Sequence, residues 1–306
     1  MTVIKLKIAD VAIELRSQFR MEPLDGAYDW PYKNFIHRTK KNPGIILHIK
    51  VIANPPLFYR SERIFATIHP LSGETNWSLF KKGEGHILVQ HVSKKTQWAI
   101  LNKGFSKGTV YIPPDKKNTS WKLEDMIHNF LQIILINYLS RREGIVVHSA
   151  GLKDVDKRGL LFAGPTRSGK STTARLWHNH SRAKILNDDR IVIRKAQDKF
   201  YIFSTPWHGD FYEYFKSSPD KAELKNIFFI YHSPENKIKR LRPKEAYRYL
   251  YPNIFPAFWN KESLARQMNL CRDLVSFIAS CRLGFKKDKS VISLVRSNRY
   301  KRSSYR

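Results

Sequence analysis

Apolar and polar positions alternate with period two in four short runs of the first 114 residues, at 4–9, 44–53, 63–68 and 86–92. Successive strand side chains point to opposite faces, so this pattern predicts strands with one covered face. Turn formers separate the runs: Asn42-Pro43, Asn54-Pro55-Pro56, Ser72-Gly73, Gly83-Glu84-Gly85 and Pro113-Pro114. These residues supply tight-turn dihedrals, which predicts hairpins and a mostly antiparallel, β-rich N-terminal domain. The period then becomes helical. Ser120 is a candidate cap for a helix over 121–141, in which Leu123, Met126, Ile127, Phe130, Ile134 and Tyr138 recur at helical spacing before Gly144 ends it.

Beyond Gly144 the strands are apolar throughout. Runs at 145–152 and 159–164 flank a charged turn, and a further strand precedes Asp188-Asp189-Arg190 before strand character resumes. A helix is predicted over 261–283, with Leu264, Met268, Cys271, Leu274, Val275, Ile278 and Cys281 as its core face. The expected class is α/β, more closely α+β, with a β-rich domain at 1–143 and a second domain at 144–306.

A chain of 306 residues suits about two domains. With 42% apolar and 13% aromatic residues, disorder is excluded for most of it. Its two cysteines, Cys271 and Cys281, form no CxxC pair, which fits a reducing compartment. The N-terminal stretch carries Asp10 and Glu14 and no continuous apolar run, unlike a signal peptide. The most apolar window, 130–139, is about half of the roughly 20 residues a bilayer requires. A cytoplasmic protein is the expectation. His37, His48, His69, His86 and His91 lack metal-ligand spacing and read as structural or surface residues.

Candidate chemistry is concentrated between 148 and 190. Gly164-Pro165-Thr166-Arg167-Ser168-Gly169-Lys170-Ser171 satisfies the Walker A, or P-loop, pattern at every fixed position, between a strand and a helix-forming stretch. In such a loop backbone N–H groups and a helix N-terminus, here with Thr172 in its first turn, cradle phosphate. Lys170 would place a charge on the β- and γ-phosphates of ATP, and the Ser171 hydroxyl would ligate Mg2+. Eighteen residues beyond Lys170 stands Asp188-Asp189, a carboxylate pair suited to metal binding and proton transfer. His148 is expected at the end of the strand before the loop strand.

The run HSAG (148–151), the stretch GLLFAGPTRSGKSTTARL (159–176) and AKILNDDRIVI (183–193) together resemble the HPr kinase/phosphorylase family, and most closely the broader set of HPr-kinase-like proteins found in peptide-tailoring and other gene neighbourhoods. The resemblance covers about 144–196, and extends less sharply through STPWHGD (204–210) to the C-terminal helix. It implies a fold related to the phosphoenolpyruvate carboxykinases, and an active site of His148, Lys170, Ser171, Asp188 and Asp189. The implied reaction is Mg-ATP-dependent transfer of the γ-phosphoryl group to a serine hydroxyl. By the family's pattern Asp188 is the base, with His148 beside it, and Asp189 the metal partner; the residues alone leave the order within the pair open. Trp207 and His208 are candidates for walling the acceptor site.

Net charge +29 implies polyanionic or acidic partners. Residues 282–306 alone carry a net +8 and read as a solvated basic terminus or a tail for a polyanion. Two functions follow. The first is a serine kinase acting on an acidic peptide or protein. The second is a nucleotide-binding protein whose basic surface meets nucleic acid or an anionic membrane; no nucleic-acid recognition motif accompanies it. Either reading allows a homo-oligomer.

Overall fold

The computed structural model describes residues 2–19, 21–22, 32–38, 42–52, 61–68, 75–92, 95–114, 121–211 and 218–298. Two compact units divide the chain, Met1–Arg141 and Arg142–Arg306. Both are mixed α/β with a large sheet. No helix among the described residues is long and apolar enough to cross a membrane.

The first unit is built on an eight-stranded sheet. Its strands are β1 (Thr2–Ile8), β2 (Val11–Ser17), β4 (Ile45–Val51), β5 (Arg63–Ile68), β6 (Thr75–Lys82), β7 (Gly85–Val92), β8 (Lys95–Leu101) and β9 (Lys107–Ile112), while β3 (Met21–Glu22) and β10 (Trp121–Lys122) form a separate pair. The spatial order is β1-β2-β4-β9-β8-β7-β6-β5. The expected antiparallel pattern holds at both ends of the sheet but fails in its middle, where β4 pairs parallel with β2 and β9. Alternation explains the difference. In β4, Ile45, Leu47 and Ile49 are buried while His48 and Lys50 are exposed. One covered face dictates that period whichever way the neighbours run. Helix α1 (Leu123–Ser140) follows β10, so Trp121 and Lys122 are strand rather than first turn, and Ser120 lies outside the described residues. Among the expected histidines, His86 packs on the Phe105 ring at 4.7 Å and His91 bonds Thr96 at 3.0 Å; His69 is outside the described residues.

The second unit also has an eight-stranded sheet, of β11 (Gly144–Lys153), β12 (Arg158–Ala163), β13 (Lys184–Asn187), β14 (Arg190–Ala196), β15 (Lys199–Phe203), β16 (Lys221–His232), β17 (Lys237–Arg240) and β18 (Ala279–Phe285). Strands β12, β16 and β18 run parallel, and β11-β14-β15-β16-β12 close a ring of pairings. Helices α2 (Lys170–His180) and α5 (Ser290–Ser297) cover one face, and α3 (Pro243–Leu250) and α4 (Lys261–Phe277) the other. Strand β12 shows the consequence: Leu160 and Phe162 enter one core, Leu161 and Ala163 the other. A strand buried on both faces is continuously apolar, as its sequence is.

Helix α4 stops six residues short of the expected end. Ile278 is already extended, and Cys281 sits in β18 between β16 and β17. Helical spacing persisted by coincidence across a segment that sheet pairing claims. Only Cys271 is helical, and the buried face of α4 runs through Ser263, Gln267, Leu270, Cys271, Leu274 and Val275, with Leu264 and Met268 at its border. The basic terminus is likewise structured as far as residue 298. Val291, Ile292 and Val295 of α5 are buried, Arg296 forms two hydrogen bonds to buried Asp154, and Arg282 lies over the rings of Tyr231 and Tyr249. Arg299, Lys301, Arg302 and Arg306 lie outside the described residues.

Candidate active site

The loop 164–171 leaves the C-terminal end of β12, where the buried strand must turn back onto the sheet. Arg167 (φ 66°) and Gly169 (φ 106°) adopt left-handed backbone. A Cβ on Gly169 would stand 2.8 Å from two Phe285 ring carbons, so glycine is required there for both conformation and space. Helix α2 then opens with no side-chain cap and no acid in its first turn. That leaves the first backbone N–H groups and the positive end of the helix dipole without an anion from the helix's own cap or first turn.

Lys170 is buried, its Nζ donating to Gly164 O (3.0 Å) and Pro165 O (2.9 Å). Burial holds its pKa below the ordinary lysine value, against the opposing pull of Asp189 and Asp188. Ser171 and Thr172 are half-buried in the same turn. His232, at the end of β16, fixes the loop from the other side, its Nε2 2.7 Å from Arg167 O.

Asp188 and Asp189 occupy the two-residue bend between β13 and β14 rather than a strand. Asn187 makes that bend. Its Oδ1 accepts from the N–H groups of Asp189 (2.8 Å) and Arg190 (2.9 Å), an Asx turn, while its Nδ2 donates to Thr205 O at 3.0 Å. The two carboxylates then part. Asp188 turns inward at 1% exposure and accepts from Gly209 N (2.8 Å) and Phe211 N (3.2 Å). Gly209 permits this approach, since a Cβ there would lie 3.0 Å from Asp188 Oδ2 and 3.2 Å from Asp189 Cβ.

Asp189 turns the other way, its side chain 23% exposed. His148 Nε2 stands 3.0 Å from its Oδ1, and Arg190 donates to its Oδ2. Burial would raise the Asp189 carboxyl. The hydrogen bond from His148 and the charges of Arg190, His148 and Lys170 outweigh this and hold it below the usual carboxylate range. Phe255 backs the cluster, its ring 4.4 Å from the Arg190 guanidinium carbon.

No family model and no curated protein matches this sequence. The Hpr(Ser) kinase/phosphatase from Coxiella burnetii is a structural neighbour at 13% identity and TM-score 0.30, over 50% of this chain and 95% of that one.

Two sequence expectations change against this geometry. His148 is mid-strand, at the point where β11 exchanges its partner β14 for β13, and not at a strand end. The carboxylate expected to take a hydroxyl proton, Asp188, has both oxygens engaged by backbone N–H groups and almost no exposure, whereas Asp189 carries the open face and the contact with His148. Trp207 is buried, so the 204–211 segment serves first as a clamp on Asp188. Arg190, Asn187, Phe255 and His232 were not foreseen. Asn187 carried a usable signal, because Asn before a polar pair between two apolar strands is an Asx-turn sequence.

Proposed function

We propose that the protein is an ATP-dependent kinase that transfers the γ-phosphoryl group to the hydroxyl of a serine, or a similar hydroxyl, on an acidic peptide or protein. The observation that carries this reading is the convergence of four groups: a loop lysine, Lys170, whose charge is felt by a carboxylate, Asp189, that is itself bonded to His148 and Arg190. A cationic anchor on an uncapped helix beside an oriented acid–imidazole pair suits in-line displacement at phosphorus.

The donor set fits both ligands. Loop residues 164–171 with Thr172 would hold the β- and γ-phosphates of ATP through backbone N–H groups and Lys170. Ser171 and Asp189 would hold Mg2+ by oxygen atoms, the ligands it prefers. Magnesium, when bound, neutralises charge on the β- and γ-oxygens. His148 presents Nε2 to Asp189, which leaves Nδ1 as the acceptor for the substrate hydroxyl proton. The acceptor oxygen bonds to the γ-phosphorus as the bond to the β–γ bridging oxygen breaks, releasing ADP. Arg190 balances charge beside Asp189, and Asp188 is a positioning residue that locks the bend. Net charge +29 favours an acidic acceptor.

The test is incubation with γ-labelled ATP, Mg2+ and a panel of acidic serine-containing peptides. Label recovered as phosphoserine supports the reading. Nucleotide hydrolysis with no label in any hydroxyl acceptor overturns it.

A further inference from the structure

A cavity of about 1210 Å3 opens at the N-terminal ends of the parallel strands β12, β16 and β18, the end opposite the 164–171 loop. Its rim and its floor differ in chemistry. Every charged lining residue, Asp198, Arg240 and Arg242 included, is exposed or half-buried and belongs to the rim, where water solvates it. The floor is made of buried residues: Phe200, Leu224, Asn226, Leu241, Val275 and Ser280. Phe277 stands at the mouth, 48% exposed, its ring 6.4 Å from that of Phe200.

One polar side chain of that floor has unused capacity. Ser280 already donates its hydroxyl to Ile278 O at 3.2 Å, whereas Asn226, at 2% exposure, has no hydrogen-bond partner for its Nδ2 among the described residues. A buried amide with unused donors is costly, and native interiors rarely keep one without an acceptor. No charged side chain reaches the floor, so a charged ligand group would be buried there without a counter-charge. The matching ligand is therefore neutral, with an apolar body and one acceptor oxygen.

We infer that this cavity is a binding site for a small neutral aromatic molecule bearing a carbonyl group. The aromatic body packs on Phe200, Val275 and Phe277, and the carbonyl oxygen accepts from Asn226 Nδ2. The rim charges keep their water and take no part. The site is separate from the loop and stands whether or not the kinase reading holds.

The test titrates the full chain with 6-propionyl-2-dimethylaminonaphthalene, a neutral aromatic ketone whose fluorescence shifts to the blue away from water. A parallel titration uses 2-dimethylaminonaphthalene, the same body without the ketone, and both are run with and without saturating Mg-ATP. Saturable binding of the ketone is expected, undiminished by Mg-ATP. Asn226→Leu, close in volume and free of the orphan amide, weakens it about fivefold, the scale of one net hydrogen bond. The same variant leaves binding of 2-dimethylaminonaphthalene unchanged and raises the thermal midpoint of the free protein. Phe277→Ala, a change at an exposed position, weakens both dyes alike. Absence of saturable ketone binding, its displacement by Mg-ATP, equal ketone affinity in wild type and Asn226→Leu, a lowered midpoint in Asn226→Leu, or indifference of both dyes to Phe277→Ala overturns the inference.

Discussion

Asp188→Asn and Asp189→Asn are the same chemical change on adjacent residues, and the structure gives them opposite consequences. The Asp188 carboxylate is buried and accepts two backbone N–H groups. An amide there keeps one acceptor and presents a donor to the other N–H, so one charge-assisted bond is lost and one buried donor is left unsatisfied. Those costs are about 1.5–3 and 1–3 kcal/mol. Allowing for local relaxation, Asp188→Asn should lower unfolding free energy by about 2–4 kcal/mol and impair transfer only as far as the bend is displaced. Asp189 is partly solvated, so screening leaves its ion pairs worth about 1 kcal/mol or less to stability. Its loss instead removes the group that orients His148, for which about 10²–10⁴-fold in transfer rate is expected. Urea unfolding and transfer rates at saturating ATP, measured on both variants, separate the two. An Asp188→Asn protein of wild-type stability with no transfer, beside an active Asp189→Asn protein, would refute the division of roles.

Gly209→Ala should cost about 10–100-fold in transfer rate with unfolding free energy changed by about 1–2 kcal/mol, because the added methyl presses on a clamped Asp188 and displaces the bend by a fraction of an ångström; steady-state kinetics beside urea unfolding check it. Asp189 has a depressed folded-state pKa, so its contribution to stability is present above the unfolded carboxylate value near 3.9 and is lost as pH falls through the lower folded value. Wild type and Asp189→Asn should therefore differ in unfolding midpoint at pH 6 and converge as pH falls below the usual carboxylate range, as acid titration by circular dichroism can follow. Arg296→Met strands the buried Asp154 carboxylate and should cost about 2–4 kcal/mol, read by chemical denaturation with Asp154→Asn/Arg296→Met as partial rescue.

The sequence disclosed elements whose burial is one-sided or complete, and it disclosed the loop. Continuous apolar runs marked β11 and β12, and the glycine and lysine spacing marked 164–171, because those patterns answer to local geometry. It did not disclose which way β4's neighbours run, since one covered face imposes the same alternation on parallel and antiparallel strands. Residues 278–283 kept a helical spacing but take sheet dihedrals, for β18 is claimed by β16 across more than fifty residues of chain. The division of Asp188 from Asp189 was equally hidden. It depends on Gly209 and Phe211, twenty-one and twenty-three residues away, returning their N–H groups to one carboxylate.

The central claim is that Lys170 anchors a transferable phosphoryl group beside the Asp189–His148 pair. Lys170→Ala tests it most directly, because among the described residues its Nζ bonds only loop carbonyls and burial already disfavours its charge, so folding tolerates the change. The measurement is the rate of label transfer from γ-labelled ATP to a serine peptide, with circular dichroism verifying the fold. The account predicts a fall of about 10²–10³-fold in a folded protein. Undiminished transfer by folded Lys170→Ala would contradict it.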